Sequence, residues 1–447
     1  VLARLTCVCH ALRLEMRKKQ QQSNFKKFLD KALQSEALSH ACNLQAAFNP
    51  SHSAIRFHRG SVVCDKKNPS ILAMSSITDK MALFDWIAAL PGGEIGPVAV
   101  KASLVGEGYG MFTTREVEPL ELLVAVPEEA CVSLSAVRSS LSDIDAALLD
   151  DIEDPLDQVA MYLAHRRLSG GGSSPYLDSS ALPWNAEDQE HILWWSDVEL
   201  ELLNGCTVQT HANELHTYVK WAVGRLMGVL PDKSRAEVDK ALRGAYVSIM
   251  SRGFGFEEHW LVPAMDNCNH QRPANSYFAS EQQGYDKVRY ELRAQEPLAD
   301  GAEVTINYGC HKDYVFCCNY GFLCSHAWSK SAGFVVADKA FDLSKFEVDY
   351  LLKERADFDS AADWLSLEEL RSCAEACAKA EGCAVEDVMM RAAQLRLTTL
   401  KTGHAVANEA AAKGALPSRV AMAEALRESE KEVLEDLVVY LSRYVRT

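Results

Sequence analysis

The residues best equipped for chemistry crowd into one stretch, between Tyr246 and Phe322. Ser251-Arg252 comes first, and an apolar run, Leu261-Val262-Pro263-Ala264-Met265, then ends in Asp266-Asn267-Cys268-Asn269-His270. Glu303-Val304-Thr305-Ile306-Asn307 leads into Tyr308-Gly309. A second pair, Tyr320-Gly321, lies 12 residues further on and is followed by Phe322. Upstream sits a glycine-rich turn, Gly106-Glu107-Gly108-Tyr109-Gly110. Apolar runs that end in amide, imidazole and phenol groups bring hydrogen-bonding chemistry to the rim of an apolar core. The Asn269 amide can donate to a carboxylate and accept from an ammonium, and the Arg252 fork fits a carboxylate. Each also has a plainer role. Tyr308 could cap a backbone group at a strand end, His270 could be a satisfied structural histidine, and Arg252 a surface ion-pair partner. The glycines could simply form a β-turn with positive φ.

These residues need elements to position them. Apolar spacing predicts a helix over 81–90, stopped by Pro91-Gly92-Gly93, with order starting near Asp79. Strand-like runs at 98–100, 104–105, 111–114 and 122–127 surround the glycine turn. No helix pattern follows that turn, so it is not a dinucleotide fingerprint. Helical faces at 146–149 and 159–164 precede the break Ser169-Gly170-Gly171-Gly172-Ser173-Ser174-Pro175. Trp194 and Trp195 read as core aromatics, and 241–250 as helix. Strands are expected at 288–292 and 303–307, with hairpin turns at Gly284 and Asp300-Gly301. From about Trp328 the pattern is helical, over 344–356, 366–380, 383–402 and 415–446. In the last of these Met422, Leu426, Val433, Leu437 and Leu441 form one apolar stripe, with Arg427-Glu428-Ser429-Glu430-Lys431 on its wet side.

In this order the glycine turn, Ser-Arg, Asp-x-x-Asn-His and the two Tyr-Gly pairs resemble the SET-domain methyltransferases. The nearest branch is typified by the Rubisco large-subunit lysine methyltransferase and the actin-histidine methyltransferase. A Pro-Tyr segment at 175–176, a Trp, the Leu-Leu-x-Gly ending at 202–205 and the Arg-Glu-x-Glu-Lys at 427–431 resemble the same branch. The resemblance implies an α+β fold. Its β-rich SET domain, closed by a pseudoknot, would have halves at 79–132 and 246–327, a helical insertion at 133–245 and an all-helical substrate-binding domain at 328–447. It implies S-adenosylmethionine as cofactor, held by Glu107, Gly108, Tyr109, Arg252, Asn269, His270, Tyr308 and Phe322. Tyr308 would be catalytic and Tyr320 would line the substrate channel. The implied activity is N-methylation of a lysine on a protein substrate, Rubisco or another non-histone protein, by a monomer. A histidine acceptor, or an inactive SET-like module that binds a partner, remains an alternative. Two departures stand out. No tight cysteine cluster follows Tyr308, so the zinc module of histone-directed members is not expected, and the segment between Tyr308 and Tyr320 carries His311 and Asp313 where the family usually has an Asn.

Composition narrows the classes. The net charge of −16 over 447 residues argues against nucleic acid as main partner, since phosphate contact needs concentrated Lys and Arg. That charge is uneven. Residues 1–67 carry 12 Lys+Arg and 4 Asp+Glu, or +8, leaving −24 for the rest. The basic segment 1–78 reads as a transit peptide, which would place the protein in the chloroplast, or as a disordered tail or upstream sequence, leaving a cytoplasmic or nuclear location. No apolar run of 18 residues marks a membrane span. The 14 scattered cysteines, Cys131, Cys268 and Cys317-Cys318 among them, read as reduced core residues. Cys373, Cys377 and Cys383 lack zinc-knuckle spacing, and His270 has no second ligand at a suitable interval, so no metal is expected.

Overall fold

The computed structural model describes residues 71–443, apart from residues 107, 140–151, 153, 171–173, 179–180, 187–188, 257–258, 283–287, 310, 325–328, 337–338, 346–347 and 349–360. The basic segment up to residue 70, Glu107, the helical face at 146–149, the Gly284 turn and most of the helix expected at 344–356 lie outside the described residues.

The first helix, α1 (Ile71–Ala89), begins eight residues before the expected start at Asp79. Ser75, Ser76 and Thr78 are weak helix formers but not breakers, so the apolar segment before them continues the helix. It buries Leu83, Phe84 and Ile87 against the sheets. Five strands follow: β1 (Glu94–Ile95), β2 (Val98–Ala102), β3 (Tyr109–Thr113), β4 (Leu122–Pro127) and β5 (Val132–Ser133).

Between β5 and β6 most of the described residues are helical, with an irregular stretch at 181–191. In α2 (Pro155–Ser169) the Asp154 carboxylate accepts from Leu156 N, Pro155 opens the first turn, and Gly170 at φ 65° ends the helix. Then come α3 (Val208–Val229) and α4 (Arg235–Arg252), the latter started by a Ser234–Glu237 capping box. The boundary expected at 245–246 therefore falls inside α4. That helix delivers Arg252 at its last residue.

The second half of the β-rich part holds β6 (Gly253–Phe256), β7 (His259–Leu261), β8 (Asn269–His270), β9 (Ser276–Gln282), β10 (Val288–Ala294) and β11 (Glu303–Ile306). The strands form three sheets, ordered β1-β4-β10-β9, β2-β3-β11-β8 and β5-β7-β6. β10 and β11 thus lie in different sheets, and the Asp300-Gly301 turn does not close a hairpin, contrary to expectation. The turn reverses the chain locally, but β11 finds its partners in β3 and β8. Among the named strands β8 and β11 alone pair in parallel, Asn269 opposite Thr305 and His270 opposite Ile306. This pairing sets the Asn269-His270 segment beside the one that ends in Tyr308.

After β11 come α5 (Asp313–Tyr320), a hairpin of β12 (Ser331–Val336) and β13 (Lys339–Ser344), and the helices α6 (Ala361–Glu381), α7 (Val385–Ala412) and α8 (Pro417–Leu441). The helical region is therefore introduced by a hairpin. One apolar core joins α1, the sheets, α2 and α4 and much of α3; a second joins residues 192–212, α5, the hairpin and α6 to α8. Leu426, Val433, Leu437 and Leu441 are buried as the stripe predicts. Arg427, Ser429 and Glu430 are buried as well, which corrects the expected wet face: α8 packs on two sides, not one.

Candidate active site

β11 is the axis of the site. On one side it pairs with β3, which follows the glycine loop, and on the other with β8. The Asn269 Nδ2 lies 2.8 Å from Glu303 Oε1, 3.0 Å from Tyr109 O and 3.1 Å from Ser103 Oγ. A carboxylate and a backbone carbonyl only accept, so they fix the amide with Nδ2 toward the loop, leaving Oδ1 free to accept. Gly108 takes φ 75° at the loop's exit, as expected of the turn. At Gly110 a Cβ would press on the Glu303 carboxylate and stand 3.0 Å from Asn269 Nδ2, so the close approach favours glycine.

The phenol of Tyr308 donates to Cys268 O at 2.8 Å, and its backbone N–H donates to His270 Nδ1 at 3.0 Å. The second bond makes Nδ1 an acceptor, so neutral His270 carries its proton on Nε2. Tyr320 stacks on Tyr308 with ring centroids 4.8 Å apart, and Phe316 and Phe322 close the group around His270 at 5.2 and 6.2 Å. Burial pushes the Tyr308 phenol up from its ordinary value, and burial does the same to Tyr320. Both phenols are therefore neutral near pH 7.

Arg252 sits apart from Asn269 in its bonding. Its Nη1 donates to Asp266 O at 2.7 Å and reaches Asp266 Oδ2 at 3.3 Å, and Tyr176 donates to the same carboxylate oxygen at 2.9 Å. Arg252 Nε is buried with no hydrogen-bond partner among the described residues, so part of the fork is uncommitted. From α1, Lys80 Nζ donates to Asn267 Oδ1 at 3.0 Å, and Asn267 Nδ2 donates to Ala264 O at 3.1 Å. The turn that presents Asp266, Asn267 and Asn269 is thus held from three elements.

The fold therefore gathers His270, Tyr308, Tyr320 and Phe322 into one aromatic group. It joins Tyr109 and Asn269 to the glycine loop, while Arg252 is tied to Asp266. Sequence reasoning assigned no role to Glu303, Asp266, Tyr176, Lys80 or Phe316. Glu303 left a usable trace: it is an acid opening a strand, Glu303–Ile306, that is buried throughout. Lys80 left none, because its partner is 187 positions away. Among the described residues no group of three or more His, Cys, Asp or Glu is arranged to hold a metal.

No family model and no curated protein matches the sequence. Solved structures do. The SET domain of LSMT bound to methyllysine and AdoHcy superposes with a TM-score of 0.58 at 18% identity, covering 82% of this chain and 91% of that one. Rubisco LSMT bound to AdoMet gives 0.57 at 18%, covering 82% and 92%. Rubisco LSMT bound to sinefungin and monomethyllysine gives 0.57 at 18%, covering 83% and 92%. Over most of both chains the fold is similar to that of these SET-domain structures.

Proposed function

We propose that this protein is an S-adenosylmethionine-dependent protein N-methyltransferase that acts on a lysine side chain. The observation that carries the reading is the convergence on β11 of the glycine loop, Asn269 and the stacked Tyr308–Tyr320 pair. The similar solved structures, LSMT with AdoMet, AdoHcy, lysine or methyllysine, support it. The donor set fits an amino-acid-ended cofactor. Asn269 Oδ1 is available to an ammonium, and the buried uncommitted Nε of Arg252 suits a carboxylate. Gly108, Tyr109 and the His270 backbone would line its other contacts, with Phe322 as an apolar wall and Glu107 on the loop between Gly106 and Gly108.

When bound, S-adenosylmethionine supplies a methyl group made electrophilic by the sulfonium. The chain's own part is orientation. The Tyr308 O–H is already donated to Cys268 O, so its oxygen lone pairs remain to accept an N–H from the incoming amine and aim the nitrogen lone pair. Tyr320, stacked on Tyr308, would line the channel beside it. A lysine entering this apolar surround loses its proton to water as burial lowers its pKa. With the cofactor bound, transfer would form a nitrogen–carbon bond as the sulfur–carbon bond breaks. Positioning of this kind can supply up to ~7–11 kcal/mol.

The test is calorimetric titration of the full chain with S-adenosylmethionine, paired with label transfer to free lysine and free histidine. Wild type should bind and label lysine. Tyr308→Phe should leave affinity within about threefold and lower turnover about 100-fold or more. Asn269→Ala should weaken binding about tenfold, the loss of roughly 1.4 kcal/mol. Absence of binding to wild type would refute the proposal, and label on histidine alone would replace the acceptor.

A further inference from the structure

Glu303 is 7% exposed and stands where the cofactor loop meets β11. Its Oε1 accepts from Ser103 Oγ at 2.8 Å and Asn269 Nδ2 at 2.8 Å; its Oε2 accepts from Leu104 N at 2.6 Å and Val105 N at 3.2 Å. Ser103 Oγ in turn accepts from Gly106 N at 2.8 Å. One carboxylate thus orders four successive residues, 103–106, and the side chain of Asn269. Apolar burial gives the loop no reason to sit here, because Leu104 is 78% and Val105 47% exposed. The β2–β3 pairing and the bond from Ser103 N to Gly108 O at 3.0 Å fix the two ends of the loop, and the charge-assisted bonds to Glu303 hold residues 103–106 against β11.

We infer that Glu303 is a positioning residue, a latch that keeps the glycine loop closed against Asn269 in the form that receives the cofactor before the cofactor arrives. The cofactor part of this rests on the proposed methyltransferase reading; the latch part does not. A glutamine cannot do the same work. It has one acceptor oxygen, and its NH2 would face the N–H groups of the loop or Asn269. Gly110→Ala attacks the same contact from the other side, since the new Cβ would press on Oε1.

The experiment measures amide hydrogen exchange of the cofactor-free full chain alongside steady-state kinetics with S-adenosylmethionine, for wild type, Glu303→Gln and Gly110→Ala. The expected result is exchange about tenfold faster in residues 103–106, with the β4–β10 core strands unchanged. KM for S-adenosylmethionine should rise about tenfold with kcat within about threefold, the pattern of lost binding without lost chemistry. Unchanged exchange in the loop overturns the latch. So does faster exchange throughout, with a fall in kcat at constant KM, because that marks a merely structural glutamate. If Glu303→Gln does not fold, Gly110→Ala and Ser103→Ala decide by the same two readouts. If wild type shows no binding, the methyltransferase reading fails, and the exchange measurement alone decides the latch.

Discussion

Ala264 carries the backbone strain of the site. It sits at φ 64°, ψ −44°, and Met265 N donates to Pro263 O at 2.8 Å across it, which is the rare γ-turn with positive φ. Such strain costs of order 1–3 kcal/mol and persists only where the surroundings over-determine it. Here Lys80, Asn267 and the Arg252–Asp266 pair do so, and the turn aims Asn269. Ala264→Val adds β-branching at positive φ in a fully buried position, so it should destabilise by about 2–4 kcal/mol. Ala264→Gly relieves strain while losing a buried methyl worth about 0.8 kcal/mol, so it should be close to neutral. Urea titrations of both variants check this; equal losses would mean the turn is unstrained. His191 provides a pH dependence at the same scale. Burial, with the charge of His216 adding, pushes its imidazole down from 6.5 to about 3. The unfolded chain therefore takes up a proton below about 6.5 that the folded chain refuses until about 3. This contribution to stability is full above 6.5 and is lost as pH falls through that window, by up to about 1.4 kcal/mol per pH unit. The buried carboxyls of Asp157, Asp313 and Glu430, raised chiefly by burial, act with the opposite sign. The comparison that isolates the histidine is wild type against His191→Gln, which should be less sensitive between pH 6 and pH 4.

At the scale of elements, α8 explains why the helical region is more than an appendage. Glu430 accepts from Thr207 N, Thr207 Oγ1 and Arg396 Nη2, and Arg427 Nη2 donates to Leu202 O and Asn204 O. Ser429 donates to Asp313 at 2.8 Å, at the first residue of α5, and α5 ends in Tyr320 stacked on Tyr308. A helix in the last fifth of the chain therefore braces the helix that ends in Tyr320. Removing one member of a buried pair leaves the other charge stranded. Glu430→Ala should accordingly cost about 3–5 kcal/mol, whereas the double change Glu430→Leu with Arg396→Met should recover most of it. A double-mutant cycle by chemical denaturation measures the coupling, and additive losses would deny the pair. This network also marks the limit of what the sequence discloses. Apolar period located the α8 stripe, and polar groups at the ends of apolar runs drew attention to Asn269, His270, Tyr308 and Tyr320, whose roles rested on the family resemblance. Period alone cannot say that a charged face will be covered, because the covering residues, Thr207 and Arg396, lie 223 and 34 positions away. The same reason hid the split of β10 and β11 between sheets: turn chemistry is local, and strand partners are not.

At the scale of the whole molecule, charge sets how a lysine-bearing substrate would approach. Residues 68–447 carry −24 (−16 less +8), so the part that holds the site is strongly acidic. A basic protein segment is drawn toward such a surface, which raises association rates by 10–10³ at low salt. The proposed methyl transfer would take place beside half-buried aromatics, where partly buried groups are screened less than exposed ones. The two steps should therefore separate in a salt titration. With polylysine as the acceptor probe, KM should rise several-fold between about 0.1 M and about 1 M salt, as the screening length falls from about 10 Å to about 3 Å. Over the same range kcat should stay within about twofold, since a rim charge acts on encounter and not on a transition state formed in the channel. Free lysine, with little charge to steer, should show a flat KM and serves as the internal control. A flat KM for polylysine would mean that docking relies on contacts near the channel mouth. A parallel fall of kcat for both acceptors would instead mean that salt reaches the site, and that the aromatic group around His270 is open to water during turnover.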